Sequence, residues 1–175
     1  MPCADLLILR HGETAWNRAG RWQGSLDSPL TDTGTAQARQ MGRMLVALGI
    51  TPQTHAFHVS PQGRARQTAD LILGGTGPAR VDPRLAEIAV GDFTGLTQAE
   101  VRLRAGLPDD SHFLDFYRAA PGAESFDALW TRATAFLDDL TGPAVVVTHG
   151  ITSRFLRAAA LGLGIGGVAG LSGGQ

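Results

Sequence analysis

The stretch Leu6-Leu7-Ile8-Leu9-Arg10-His11-Gly12-Glu13-Thr14 decides the fold. Four branched apolar residues run without alternation and stop at Arg-His-Gly. A run with no polar face reads as a strand buried on both sides, the kind found in a parallel sheet. In open parallel sheets, ligands bind in the crevice beyond the carboxyl ends of the strands. The first strand therefore delivers Arg10 and His11 toward a site. Gly12 permits a sharp turn and a close ligand approach. A cation beside an imidazole suits an anionic substrate such as a phosphate.

Working outward, Ala144-Val145-Val146-Val147-Thr148 is a second buried run, and it ends in His149-Gly150 with the same grammar. Thr31 or Asp32 caps a helix reaching about Leu48, with Ala38, Met41, Leu45 and Leu48 as its apolar stripe and Gly49 as its stop. Ala56–Val59 reads as a short strand ending in Ser60-Pro61. Gly63–Ile72 reads as a helix with Ala65, Ala69 and Ile72 facing inward. A further short strand is expected around Ala79–Val81. Thr97 and Glu100 form a capping box that opens another helix. From Gly106 to Gly122 the pattern weakens into a lid or excursion, with Asp109, Phe113, Phe116 and Tyr117. Ser125 caps an amphipathic helix whose face is Phe126, Leu129, Trp130, Ala133, Leu137 and Leu140. A last helix runs from Thr152 to Leu161, and the glycine-rich tail from Gly162 to Gln175 is expected to be irregular or mobile. Strands alternating with helices define an α/β sandwich on a mostly parallel sheet.

The chain has 175 residues, 43% hydrophobic and 18% charged, with a net charge of −1. That length suits one domain covering residues 1–175. Near-balanced charge offers no electrostatic case for nucleic acid or an acidic membrane surface. The single cysteine, Cys3, permits no disulfide within one chain and points to a reducing compartment. Cys3 precedes the strand rather than following it, which makes it a poor nucleophile candidate. With no leader and no bilayer-length apolar run, the expectation is a soluble cytoplasmic protein.

Two histidines at two strand ends, each followed by glycine, point to a shared site. Metal ligation is one reading. Against it, no acidic ligand cluster accompanies them, and Arg10 would repel a cation. Nucleophilic catalysis is the other reading, because neutral imidazole is available near physiological pH and attacks phosphorus well. Arginines hold the phosphoryl charge through an in-line displacement. Arg64 sits at a helix N-terminus just past a strand end, where an anion is welcome. Glu87 lies among apolar residues that disfavour its charged form, which suits a general acid. The pieces form a metal-free phosphoryl-transfer site. The loop Gly12–Pro29 adds Asn17, Arg21, Gln23 and Ser25 as polar candidates, while Trp16 and Trp22 either wall a pocket or cover the core edge. His55, His58 and His112 read as packing or turn residues, and Arg66, Arg102, Arg104 and Arg118 as solvated faces.

These residues resemble a known family. Arg10-His11-Gly12-Glu13-Thr14 with Asn17 is similar to the signature of the histidine phosphatase superfamily, in its phosphoglycerate mutase-like branch. Pro29-Leu30-Thr31, Ser60-Pro61 with Arg64-Ala65 and Gln67-Thr68-Ala69, Glu87 with Gly91, Phe93 and Gly95, Pro121–Ser125, and Val147–Gly150 come in the family's order. The resemblance implies helices on both sides of the sheet, a three-layer α/β/α sandwich. It implies His11 as the nucleophile that becomes phosphohistidine, with Arg10, Arg64 and His149 binding the phosphoryl group and Asn17 assisting. Glu87 would protonate the leaving group and later help activate water. The expected substrate-contacting set is thus Arg10, His11, Asn17, Gln23, Arg64, Glu87, His149 and Gly150, with no metal and no cofactor.

The chain departs from the family's pattern in places. Gln62 stands where an apolar residue is common and is expected to be tolerated at a surface turn. Mutases of the family carry longer basic insertions, whereas Gly106–Gly122 offers only Arg118, which favours a phosphatase. The family continues past the last helix into another strand, whereas this sequence ends in Ser172–Gln175. The expected activity is a phosphomonoester hydrolase acting on a small phosphorylated metabolite. A phosphoglycerate mutase and a non-catalytic phospho-ligand binding module are the alternatives, and a homodimer is left open.

Overall fold

The four segments expected to be strands enter one sheet in the computed structural model, which describes residues 5–108 and 110–173. β1 (Leu6–Arg10), β2 (Ala56–Val59), β3 (Arg80–Val81) and β4 (Ala144–Thr148) are all parallel and lie in the order β1-β4-β2-β3. Seven helices are described: α1 (Ala15–Arg18), α2 (Asp32–Ala47), α3 (Gly63–Leu73), α4 (Gln98–Ala105), α5 (Phe113–Arg118), α6 (Phe126–Asp138) and α7 (Gly150–Ala160).

β4 organises the core because it lies inside the sheet and all five of its residues are buried. Successive strand side chains point to opposite faces. Val145 and Val147 therefore join Leu45 of α2 and Ala65, Ala69 and Ile72 of α3. Val146 points the other way and joins Leu129, Ala133 and Phe136 of α6 and Phe155 and Leu156 of α7. Helices thus cover both sides of the sheet, as expected. β1 is an edge strand, and its residues are only half-buried.

The register places the site. Leu6 pairs with Ala144 and Arg10 with Thr148. The ladder runs one residue further on both flanks of β4: His11 N–H donates to the Thr148 carbonyl (3.0 Å) and Ser60 N–H to the Val147 carbonyl (3.0 Å). The three strands finish within one residue of one another, so His11 and His149 emerge level, with Ser60 one position behind.

Several expectations are corrected. The loop after β1 contains the short α1, closed by a Thr14–Asn17 capping box. The weakly patterned Gly106–Gly122 segment contains α5, with Leu114 and Phe116 buried. Leu48 caps the C-terminus of α2 and is 69% exposed, while Gly34 and Gly42 lie on the buried face with Ala38 and Leu45. The cause for Gly42 is close approach: a Cβ there would lie 2.6 Å from the Ile72 carbonyl oxygen. The face expected of α6 packs on the core as read, Leu129 and Ala133 buried and Phe126, Trp130, Leu137 and Leu140 half-buried against it, and Phe136 joins it buried. α7 starts at Gly150 rather than Thr152. The described part of the tail forms a 3₁₀ turn over Ile165–Gly170 that buries Val168 completely. Among the described residues no helix is long and apolar enough to cross a membrane. Cys3, Asp109, Gly174 and Gln175 lie outside the described residues.

Candidate active site

His11 leaves the end of β1 and is 3% exposed. Its Nδ1 is 2.8 Å from the Gly12 carbonyl, which can only accept, so Nδ1 carries the proton. Nε2 is then the acceptor, and Arg64 Nε–H donates to it at 3.2 Å. Burial, with the Arg64 guanidinium second, pushes the His11 pKa down to about 3. The imidazole is neutral at neutral pH and keeps its lone pair on Nε2.

Gly12 is required by packing. It holds no positive φ, and a Cβ on it would overlap the Gly34 carbonyl oxygen. The loop leaving β1 is pressed backbone to backbone against the start of α2. The Gly12 N–H also donates to Thr68 Oγ1 (3.1 Å), and that hydroxyl donates to the Arg64 carbonyl (2.7 Å). The His11 loop is thereby tied to the first turns of α3.

Arg64 is buried at the start of α3. Nη1 donates to the Leu26 carbonyl (2.7 Å) and to Asp27 Oδ1 (3.1 Å), and Nη2 to the Gly24 carbonyl (3.1 Å). These bonds and Nε occupy four of the five guanidinium N–H groups, leaving one on Nη2. Asp27 also accepts from the Arg64 backbone N–H, so it caps α3 from outside the helix.

His149 is fully buried and caps α7 by its backbone. Its ring centroid lies 5.1 Å from that of His11. Nε2 is 2.7 Å from Ser60 Oγ. The Ser60 hydroxyl also lies 3.4 Å from Gln62 Oε1, and which of the two it donates to fixes the His149 tautomer. Burial and the Arg64 charge hold the His149 pKa well below its ordinary value. Among the described residues, two buried side-chain polar atoms have no hydrogen-bond partner: His149 Nδ1 and Arg10 Nε. Both belong to residues flanking His11. Gly150 lies beside Arg10, whose Cζ would sit at an ordinary contact distance of 3.6 Å from a Cβ there.

The residues around Glu87 are apolar in sequence, but its carboxylate is not in an apolar setting. Oε1 accepts from the Thr152 N–H and hydroxyl (3.0 Å each), and Oε2 from the Ile151 N–H (3.2 Å). The carboxyl therefore rests on the N-terminus of α7, where the exposed N–H groups of a helix favour an anion. The desolvation expected from the sequence is replaced by donor contacts.

A cavity of about 340 Å³ gathers Arg10, His11, Asn17, Gln23, Arg64, Glu87 and Gly150. Seven of the eight expected contacts line it. His149 sits behind His11 rather than on the wall. Asn17 spends its side-chain oxygen on Thr14 N–H (3.1 Å) and hydroxyl (3.0 Å), which turns its amide nitrogen to other use. Gln23 is held by Ser28, whose hydroxyl donates to its Oε1 at 3.1 Å. The opposite wall was legible in part, through Trp22, Arg21 and the segment holding Tyr117. Trp22 and Tyr117 stack at 4.2 Å, and Trp22 Nε1 donates to Gln98 (2.9 Å). Arg21 and Arg154 supply two further cations to the lining. Ser25 is exposed and Trp16 covers Gly95, so neither lines the cavity. Phe116 is buried in the core, and Phe113 lies under Arg154 at 4.4 Å. Arg118 pairs with Asp115. His55, His58 and His112 lie outside the cavity, and His112 caps α5. A larger groove of about 730 Å³ runs along the free edge of β1 between α2 and α7, but neither Arg64 nor Glu87 lines it. Among the described residues no group of three or more His, Cys, Asp or Glu side chains is placed to hold a metal ion.

Fold and site together define an α/β protein that presents histidine and arginine side chains at the carboxyl edge of a parallel sheet. The chain belongs to the histidine phosphatase superfamily, branch 1, whose family model matches residues 6–172. It is 36% identical over 170 residues to the probable phosphoglycerate mutase GpmB of Erwinia tasmaniensis, covering 91% of this chain and 75% of that one. Among solved structures it is similar to a mycobacterial glucosyl-3-phosphoglycerate phosphatase in complex with VO3, at 31% identity and a TM-score of 0.79, covering 95% of this chain and 86% of that one. The TTHB049 protein of Thermus thermophilus is 38% identical, with a TM-score of 0.67 and coverage of 87% and 83%.

Proposed function

We propose that the chain is a metal-independent phosphomonoester hydrolase that works through a phosphohistidine on His11. The observation that carries this reading is the pair of orphaned buried polar atoms, Arg10 Nε and His149 Nδ1, beside a neutral imidazole. Buried polar atoms without partners are costly, and a phosphoryl oxyanion reaching past His11 would satisfy the Arg10 Nε–H and a protonated His149 Nδ1. When a phosphoryl group enters, the Arg64 Nε–H moves from His11 Nε2 to a phosphoryl oxygen, and the lone pair becomes available. Nε2 attacks phosphorus in line, the P–N bond forms, and the P–O bond to the leaving group breaks. Glu87 is the sole carboxyl among the described lining residues; its carboxylate takes the proton that a monoanionic phosphate ester carries in and passes it to the leaving oxygen. It then takes a proton from water, which attacks the phosphohistidine, breaks the P–N bond and restores His11 with release of phosphate. The stacked Trp22–Tyr117 pair offers a flat apolar wall to the organic part of the substrate.

The test is phosphate release by wild type and His11→Ala in the presence of chelator, across a panel of phosphomonoesters. Release by the wild type alone, with a phosphohistidine trapped on rapid acid quench, supports the reading. Equal release by the variant, or complete loss in chelator, refutes it.

A phosphoglycerate mutase is the second reading. It is favoured by the relative named a probable phosphoglycerate mutase and by Arg21 and Arg154, two cations suited to a substrate carboxylate. Isomerisation of a phosphoglycerate that depends on a bisphosphoglycerate primer would establish it.

A further inference from the structure

Gln62 precedes α3 at its N-cap position, yet its side chain makes no capping bond. Asp27 does that work instead. The Gln62 amide turns toward the backbone that supports the site. Its Nε2 donates to the Gly24 carbonyl at 2.8 Å, and its Oε1 accepts the Glu87 backbone N–H at 2.8 Å. Both are good hydrogen bonds by length. Each end matters to a different group of the site. The Gly24 carbonyl also takes Arg64 Nη2 (3.1 Å). Glu87 lies between the 3₁₀ turns Pro83–Leu85 and Gly91–Phe93, outside any strand or helix, so no ladder fixes its peptide. Side chains hold that segment: Gln62 at the Glu87 N–H, and Thr152 at the Ala86 carbonyl (2.7 Å).

We propose that Gln62 is a positioning residue, whose one amide sets the Glu87 peptide and the Arg64-bearing Gly24 carbonyl relative to each other. Gln62 is half-buried and outside the cavity lining, so it acts through Glu87 and Arg64 rather than on the substrate. The proposal rests on the reading of Glu87 as the proton donor to the leaving group. It runs against the expectation that position 62 is a tolerant surface turn.

The two bonds are separable. Gln62→Leu removes both. Gln62→Glu keeps an acceptor for the Glu87 N–H and loses the donor to Gly24. The readouts are kcat/KM against leaving-group acidity, from 4-nitrophenyl to alkyl phosphates, and inhibition by inorganic vanadate. For Gln62→Leu, kcat/KM on alkyl phosphates is expected to fall about tenfold or more, against at most about threefold on 4-nitrophenyl phosphate, because only poor leaving groups need the proton. For Gln62→Glu, the leaving-group dependence stays near wild type while vanadate inhibition weakens severalfold. Glu87→Gln run alongside separates the two claims. If Glu87→Gln shows no leaving-group dependence, the proton-donor reading fails, and this proposal with it. If Glu87→Gln shows it and Gln62→Leu slows all substrates equally, Gln62 does not act through Glu87 and the proposal alone is overturned. Thermal unfolding checks each variant. Should Gln62→Leu not fold, a Gln62→Glu enzyme with altered leaving-group dependence and unchanged vanadate inhibition overturns the proposal by itself.

Discussion

The chain uses the same three-part phrase twice, a buried strand, a histidine and a glycine, and the two copies end up doing different things. β1 is an edge strand, and it runs out into a loop. His11 therefore stands at the cavity wall, with one ring nitrogen on its own loop and the other on Arg64. β4 lies inside the sheet and runs directly into α7. His149 is therefore locked behind His11, with no exposed surface and one nitrogen on Ser60. The glycines differ as well. Gly12 is pressed against the backbone of Gly34, while Gly150 opens a helix and lies under Arg10. A strand's position in the sheet, and the element it leads into, decide what its terminal residue can reach.

The largest expected contrast between the copies is chemical. On the proposed mechanism His11→Ala should lose about 10⁴-fold or more in kcat/KM, because it removes the attacking atom. His149→Ala should lose about 10²–10³-fold, the size of one donor to a developing oxyanion. Steady-state kinetics of the two variants would break the comparison if the order were reversed. The glycines give the next contrast, in stability. Gly12→Ala is expected to cost about 2–3 kcal/mol, since its Cβ meets backbone that cannot yield. Gly150→Ala should stay within about 0.5 kcal/mol, since its Cβ would make only ordinary contacts and sits at a helix start. Urea denaturation measures both.

Acid is the third probe. His11 titrates near pH 3 in the folded chain and near 6.5 once unfolded, and His149 is shifted in the same direction. The unfolded state binds more protons in that window. Stability is therefore full above about pH 6.5 and falls progressively as the pH drops toward 3. His11→Asn, which cannot titrate, should flatten the slope between pH 6 and 4 in denaturation midpoints. An unchanged slope would mean that the ring is not buried neutral. The effect of His149→Asn has the same sign, so the pair tests whether both copies share this one property.

Much of the fold was readable because its signals are local. The unbroken runs at Leu6–Leu9 and Ala144–Val147, the Thr31 cap of α2 and the Thr97–Glu100 box of α4 each declare themselves within a few residues. α1 was not readable, since four residues with none buried leave no periodic stripe. α5 was hidden because its cap is a histidine, His112, and its apolar residues fall in six positions. The tail misled by its glycines, although Val168 anchors it in the core. Arg10, His11, Arg64 and Glu87 were legible from their places after strands or within an apolar run. Arg154 and Gln98 were not, because they reach the cavity from elements whose orientation only the packing sets. Gln62 left one trace in the sequence, an amide at a position that its family resemblance marks as apolar.

The bond from Arg64 Nε–H to His11 Nε2 also bears on what this imidazole will not do. A neutral electrophile offers the guanidinium no better acceptor than the nitrogen it already holds, so the resting side chain should be sluggish toward acylating reagents such as diethyl pyrocarbonate. Only a ligand bearing oxyanion charge can draw Arg64 away and unmask the nitrogen in the same motion. Chemical selectivity is thus written into the unliganded state, before any part of the cavity has weighed the size or shape of what enters it.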